Sequence, residues 1–201
     1  MRRKVLASPL ALAALVLALG SLPACVSTSG SSVEVAASPR EDKAYADKLT
    51  QATRQSDVIK DFETRYSASA TYLSPAFKAA FAQRFEALYH RSDLQFAEAG
   101  TKAAFFVTIN AADDEAMDIS NPKHWTIQLK EKGEAVKPVL VKRLNDKERW
   151  RPFFTAVNDW SQEYLVVFDL PAVNANSPEL VEKTSLTLAL ANADGTVNLT
   201  W

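Results

Sequence analysis

One cysteine and two histidines are all the thiol and imidazole groups that 201 residues hold, two of the chemistries most used in nucleophilic catalysis and metal binding. A lone thiol cannot close a disulfide within the chain, and a metal site of several cysteine ligands is excluded with it. Glycine is sparse too, at five residues, and there is no Gly-rich phosphate loop, no Gly-x-Ser-x-Gly elbow and no His-Glu-x-x-His helix. A Ser-His-Asp site would have to draw on His90 or His124. His90 closes a helix-patterned segment in "LYHRSD", where a cation suits the C-terminal dipole. His124 opens a strand beside Pro122 and Lys123, on an exposed rim. No catalytic set emerges from these residues. Charge excess is missing as well: 23 Lys and Arg against 24 Asp and Glu leave a net charge of -1, without the clustered cations that track phosphates, which argues against nucleic acid. The apolar run from Pro9 to Leu19 falls short of the roughly 20 residues a helix needs to cross a bilayer. Pro23 ends any continuation, so no permanent transmembrane anchor is expected.

What is present begins at the N-terminus. Met1 to Ala24 joins a cationic start (Arg2, Arg3, Lys4) to that apolar run and a small-residue exit at Gly20 and Ser21, the pattern of a secretory signal peptide. An ordinary cleavage site wants small residues at two positions flanking a free one. Here Leu22 occupies the outer position and Cys25 follows directly. Leu22-Pro23-Ala24-Cys25 resembles the lipobox of bacterial lipoproteins. The resemblance implies that the Cys25 thiol takes a diacylglyceryl group, that the leader is cut before it, and that the new amino group is acylated. The covalent lipid at Cys25 would hold the mature chain on a membrane, since each buried methylene adds about 0.8 kcal/mol and two or more chains anchor firmly. Val26, rather than aspartate, follows the cysteine. On the same resemblance that points to the outer membrane, with the domain in the periplasm. Loss of three cations moves the net charge from -1 to about -4.

Four segments follow from texture. Residues 1–24 read as the lipoprotein signal peptide, and 25–40 as the acylated cysteine and a flexible, Ser- and Ala-rich tether closed by Pro39. Residues 41–201 read as a single globular domain, helical over 41–98 and a β-sandwich over 101–201. From Glu41 to about Asp61 there is no Gly or Pro, and Tyr45, Leu49, Ala52, Ile59 and Phe62 recur at helical spacing. "YSASATY" alternates with period two, so a strand is read at residues 66–72. Ser74-Pro75 starts a second helix whose Phe77, Phe81, Phe85 and Leu88 form one stripe. After Gly100 come seven short runs: "AAFFVTIN", "HWTIQL", "VKPVLVKRL", "WRPFF", "EYLVVF", "TSLTLALA" and "TVNLTW". Asp194-Gly195 marks a hairpin between the last two through positive φ. The fold class expected is α+β, with N-terminal helices packed on an antiparallel, immunoglobulin-like β-sandwich.

Two surface sites suggest themselves. Trp150, Arg151, Phe153, Phe154 and Trp160 mix aromatics with a cation in one segment. Alternate residues of a strand face opposite sides, so some of these would be exposed in the composition favoured at binding hot spots. Asp113, Asp114, Glu115 and Asp118 crowd one inter-strand loop, where carboxylates repel unless a cation relieves them. Ca²⁺ takes six to eight oxygens from such loops, although the spacing is not that of an EF-hand. The reading reached is a non-catalytic, membrane-anchored periplasmic module that binds another cell-envelope protein. The alternatives are a sandwich binding Ca²⁺ or a small ligand, and an enzyme with a carboxylate-based site.

Overall fold

A computed structural model describes residues 38–91, 96–112, 117–131, 133–172 and 185–201. Among these described residues nine strands form two antiparallel sheets. Sheet A contains β1 (Thr53–Lys60), β2 (Glu63–Tyr72), β3 (Lys102–Ala111), β6 (Pro138–Leu144) and β7 (Gln162–Pro171), in the order β1-β2-β3-β7-β6. Sheet B contains β4 (Thr126–Glu131), β5 (Glu134–Val136), β8 (Leu186–Ala191) and β9 (Thr196–Thr200), in the order β5-β4-β8-β9. Among the described residues no helix is long and apolar enough to cross a membrane.

The alternation of the strands decides the layering. Val107, Ile109, Tyr164 and Val166 of sheet A point at Ile127, Leu129, Leu188 and Leu190 of sheet B and make one buried core. The intervening residues, among them Ala104, Phe106, Leu165 and Val167, point the other way and make a second core with the helices. Sheet A is therefore covered on both faces and sheet B on one. This is an α+β sandwich with a helical layer added.

That layer begins with α1 (Lys43–Ala52), whose cap is the Asp42 carboxylate accepting from the Tyr45 amide at 3.1 Å. In α2 (Pro75–Tyr89), Ser74 Oγ accepts from the Phe77 amide at 3.1 Å and Pro75 takes the first helical position, as its sequence predicts. The stripe is core: Phe77, Phe81 and Phe85 are buried. A buried guanidinium clasps the layer together. Arg84 donates to the Asp42 carboxylate at 2.9 Å and to the Pro152 carbonyl at 3.0 Å, and it lies 5.0 Å over the Tyr45 ring.

Three expectations are corrected. The helix expected to run from 41 to 61 stops at Ala52, because 53–60 pairs as β1 along β2. The segment 41–98 is thus not wholly helical and supplies two strands of sheet A. Ile59 and Phe62 mimicked helical spacing, yet both are exposed at a hairpin tip where Asp61 and Phe62 take left-handed φ of 54° and 64°. "WRPFF" is not a strand: a short helix α3 (Lys147–Trp150) runs into turns in which the Phe153 and Phe154 amides both donate to the Trp150 carbonyl. Pro152, with no N–H to give a ladder, fits that arrangement. The hairpin at Asp194-Gly195 exists, but the Asn192 side chain forms its turn by accepting from both amides, at 2.9 and 3.2 Å. Gly195 does not use positive φ. It serves close approach, since a Cβ there would come within 2.8 Å of Val58 Cγ1.

Candidate functional site

Along the helix side of sheet A the strands change character. Leu73, Ala104 and Phe106 lie under α1, α2 and the turns at 150–157 and are sealed. Two residues further on, Ser69 and Thr108 stand opposite each other, and beyond them Ser67 faces Asn110. The helical layer stops short of these positions. Above them is a groove of about 270 Å³, walled on one side by Gln55 and Asp57 of β1 and on the other by Ala156, Asn158 and Ser161. Gln55 also borders a second cleft of about 310 Å³, which runs between α1 and β1 past Thr50, Thr53, Arg40 and Thr155. A narrow gap among Thr53, Ser69, Thr71, Thr108 and Thr155 lies between the two.

The far wall is held by charge. Lys147 Nζ donates to the carbonyls of Asp159 and Ser161 at 2.8 and 2.6 Å, while Arg151 pairs with Asp159 and with Glu148. The Asn158 side chain accepts from the Trp160 amide at 2.9 Å, closing a tight turn. In this fixed loop Trp160 is 77 % exposed. Beneath it the buried Glu163 carboxyl lies 2.5 Å from Ser161 Oγ. Burial pushes Glu163 above its ordinary value of 4.5, against the opposing pull of the Ser161 hydroxyl, Lys147 and Arg143. Ser161 Oγ also lies 2.9 Å from the Asn158 carbonyl, and its one proton can serve only one of these acceptors. An ionised Glu163 takes that proton; a protonated Glu163 donates to Ser161 and frees the hydroxyl to close the turn at Asn158.

The residues singled out by sequence are dispersed. Trp150, Phe153 and Phe154 are buried in the helical-layer core, so the aromatic face expected from them is not on the surface. The reason is that the segment folds as a helix and turns, which wrap these rings inward; Phe154 stacks on Phe106 with centroids 3.7 Å apart and planes 5° apart. Trp160 remains accessible between Asn158 and Ser161 of the groove's wall, and Arg151 remains accessible where it pairs with Asp159. Asp113, Asp114 and Glu115 lie outside the described residues, as does Cys25. Asp118 is described, and its carboxylate accepts from the Ser120 amide at 3.1 Å and lies 2.5 Å from the Ser120 hydroxyl. Among the described residues no three His, Cys, Asp or Glu side chains are placed to hold a metal. His90, left-handed at the end of α2, and His124 are both exposed.

Sequence reasoning passed over the groove itself. Its floor is the serine side of "YSASATY", whose alternation was visible, but polar residues on a strand carry no sign that the face above them stays open. Comparison with protein-family models, with curated proteins and with solved structures finds no match for this chain.

Proposed function

We propose that this chain is a non-catalytic binding module of the bacterial cell envelope, lipid-anchored through Cys25 in the outer membrane, which meets another envelope component in the groove over sheet A. The observation that carries the reading is a concave polar surface beside a fixed loop with an exposed tryptophan, the pairing of shape and anchor that recognition sites share. The Leu22-Pro23-Ala24-Cys25 motif supports the anchor. Strand order supports an immunoglobulin-like type for the sandwich: β2-β3-β7-β6 over β5-β4-β8-β9 follows A-B-E-D over C′-C-F-G, with β1 as an extra edge strand.

In-cell photocrosslinking tests it. A photoreactive p-benzoylphenylalanine replaces Asn158 in the full-length chain, and Lys130, exposed on sheet B, serves as the control position. The expected result is an adduct from position 158 that is absent from position 130 and lost in a Cys25→Ser variant. Equal adducts from both positions, or none from 158, would remove the groove as the contact site. Retention of Cys25→Ser in the membrane fraction would remove the lipid anchor.

A further inference from the structure

The groove's chemistry says more than that something binds. Among the described residues the side chains of Gln55, Asp57, Ser67, Ser69 and Asn110 make no hydrogen bond, although all five border one cleft. Between them they present hydroxyls, amides and a single carboxylate. A ligand that satisfies such a surface must itself carry many neutral donors and acceptors at close intervals. The loop that supplies Asn158 and Ser161 to the cleft also carries the exposed indole of Trp160, whose electron-rich face attracts weakly positive C–H bonds.

Other occupants fit less well. A phosphate-rich ligand would want cations, but the cleft floored by Ser67 and Asn110 offers only a carboxylate. An apolar ligand would leave the floor's polar groups dry and unpaired. A peptide adding as a strand would need the free edge of β1, yet β9 runs beside it and Arg54 Nε donates to the Thr200 carbonyl at 2.9 Å. A protein surface would bring an apolar centre, to which the groove offers only Ala156, since Ala68 and Ile109 turn their side chains into the inter-sheet core.

We infer that the groove takes a carbohydrate chain, its hydroxyls bonded by the Gln55, Asp57, Ser67 and Asn110 side chains and the C–H face of one ring laid on Trp160. The second cleft, sharing Gln55, gives the chain a continuation past Thr50 and Thr53, so a linear oligosaccharide fits better than a single sugar. This rests on the reading of the groove as the binding site, and names its ligand.

Intrinsic fluorescence gives a direct readout. Trp125 and Trp150 are buried and Trp201 is half-buried, which leaves Trp160 as the tryptophan most open to solvent and to acrylamide. The full-length chain in detergent is titrated with hexasaccharides of β-1,4-linked glucose, β-1,4-linked N-acetylglucosamine and α-1,4-linked glucose, and binding is followed in parallel by calorimetry. At least one should protect Trp160 from acrylamide and release heat. Trp160→Ala and Asp57→Ala should each weaken calorimetric binding about tenfold or more with the melting temperature unchanged. Heat that survives both substitutions would place the sugar elsewhere and overturn the inference. So would the absence of both protection and heat with all three sugars. If the sugars fail while position 158 crosslinks a protein in cells, the carbohydrate class falls and the binding-module reading stands. If neither is seen, both fall.

Discussion

Phe106 and Thr108 are two residues apart on the same side of β3, and they stand in different chemistry. Phe106 is sealed by α1, α2 and the aromatic turns, one ring in a stack that includes Phe154, Phe96 and Trp150. Thr108 lies at the edge of that cover, its hydroxyl only 3.3 Å from the Ser69 carbonyl, with the groove beginning beside it. The backbone ladder keeps one register through both positions, from Ala104 to Ile109. What differs is the layer above: where helices cover the sheet its residues are apolar and hold the fold, and where they stop the residues turn polar. Stability and recognition are thus written on one surface, divided across a strand rather than between strands.

The sharpest way to break the sealed end is Phe154→Ala. It removes a buried ring from the middle of the stack and leaves a cavity that the paired β-sheet below cannot collapse into. The loss should be about 3–5 kcal/mol by urea denaturation. A loss below about 1 kcal/mol would mean that the aromatic layer is not well packed. Next is the clasp that holds the layer down. Asp42→Ala removes the cap of α1 and the carboxylate that balances the buried Arg84 guanidinium, and a cost of about 2–3 kcal/mol is expected. In an Arg84→Met background the same substitution should cost only the cap, about 1 kcal/mol. Equal costs in the two backgrounds would show that the ion pair contributes nothing.

The open end answers in the opposite direction. If its polarity serves binding and not the fold, making it apolar should do no harm. Thr108→Val keeps the side chain's shape, gives up one long hydrogen bond and adds a buried methyl group. The protein should be as stable as wild type or more so by up to about 1 kcal/mol. A clear destabilisation would mean that the hydroxyl floor is structural and that the division along β3 has been misjudged.

How far the sequence revealed this arrangement depends on the kind of signal. The two-sheet core was legible because "HWTIQL" and "TSLTLALA" carry their burial in period-two patterns, while "EYLVVF" is a continuous apolar run that suits a strand covered on both faces. The cap and stripe of α2 were legible for the same reason, local chemistry that acts locally. The first strand was not, because "TRQSDVIK" has few large apolar residues. It is fixed by pairing with β2 and by a turn in which left-handed Asp61 is ordinary but left-handed Phe62 is not a residue that favours such a turn. The aromatic segment failed differently: its composition suggested an exposed face, but Pro152 and the turns bring Trp150, Phe153 and Phe154 into one core. Of the site expected there, Trp160 and Arg151 stayed accessible. The groove floor is built from serines and asparagine on neighbouring strands, a juxtaposition that only the register creates.

The smallest effect expected concerns the boundary between the two ends, where Glu163 lies opposite Thr108. Burial raises its carboxyl above the ordinary 4.5, with Ser161, Lys147 and Arg143 partly offsetting the shift. The folded state therefore holds the proton more tightly than the unfolded chain. Below about 4.5 both states are protonated and the residue's contribution is fully present. As pH rises from there through the folded-state value, the unfolded chain ionises first, and stability falls until both states are charged. Glu163→Gln keeps an oxygen for the Ser161 hydroxyl and removes the titration. At pH 7 the variant should melt higher than wild type, and the gap should close as pH is lowered toward 4.5. A gap that does not change with pH, or a variant that melts lower at pH 7, would mean that the cations around Ser161 outweigh burial. Glu163 would then be part of the charged wall that holds Trp160 in place, and the boundary between fold and site would lie one strand position deeper than the packing suggests.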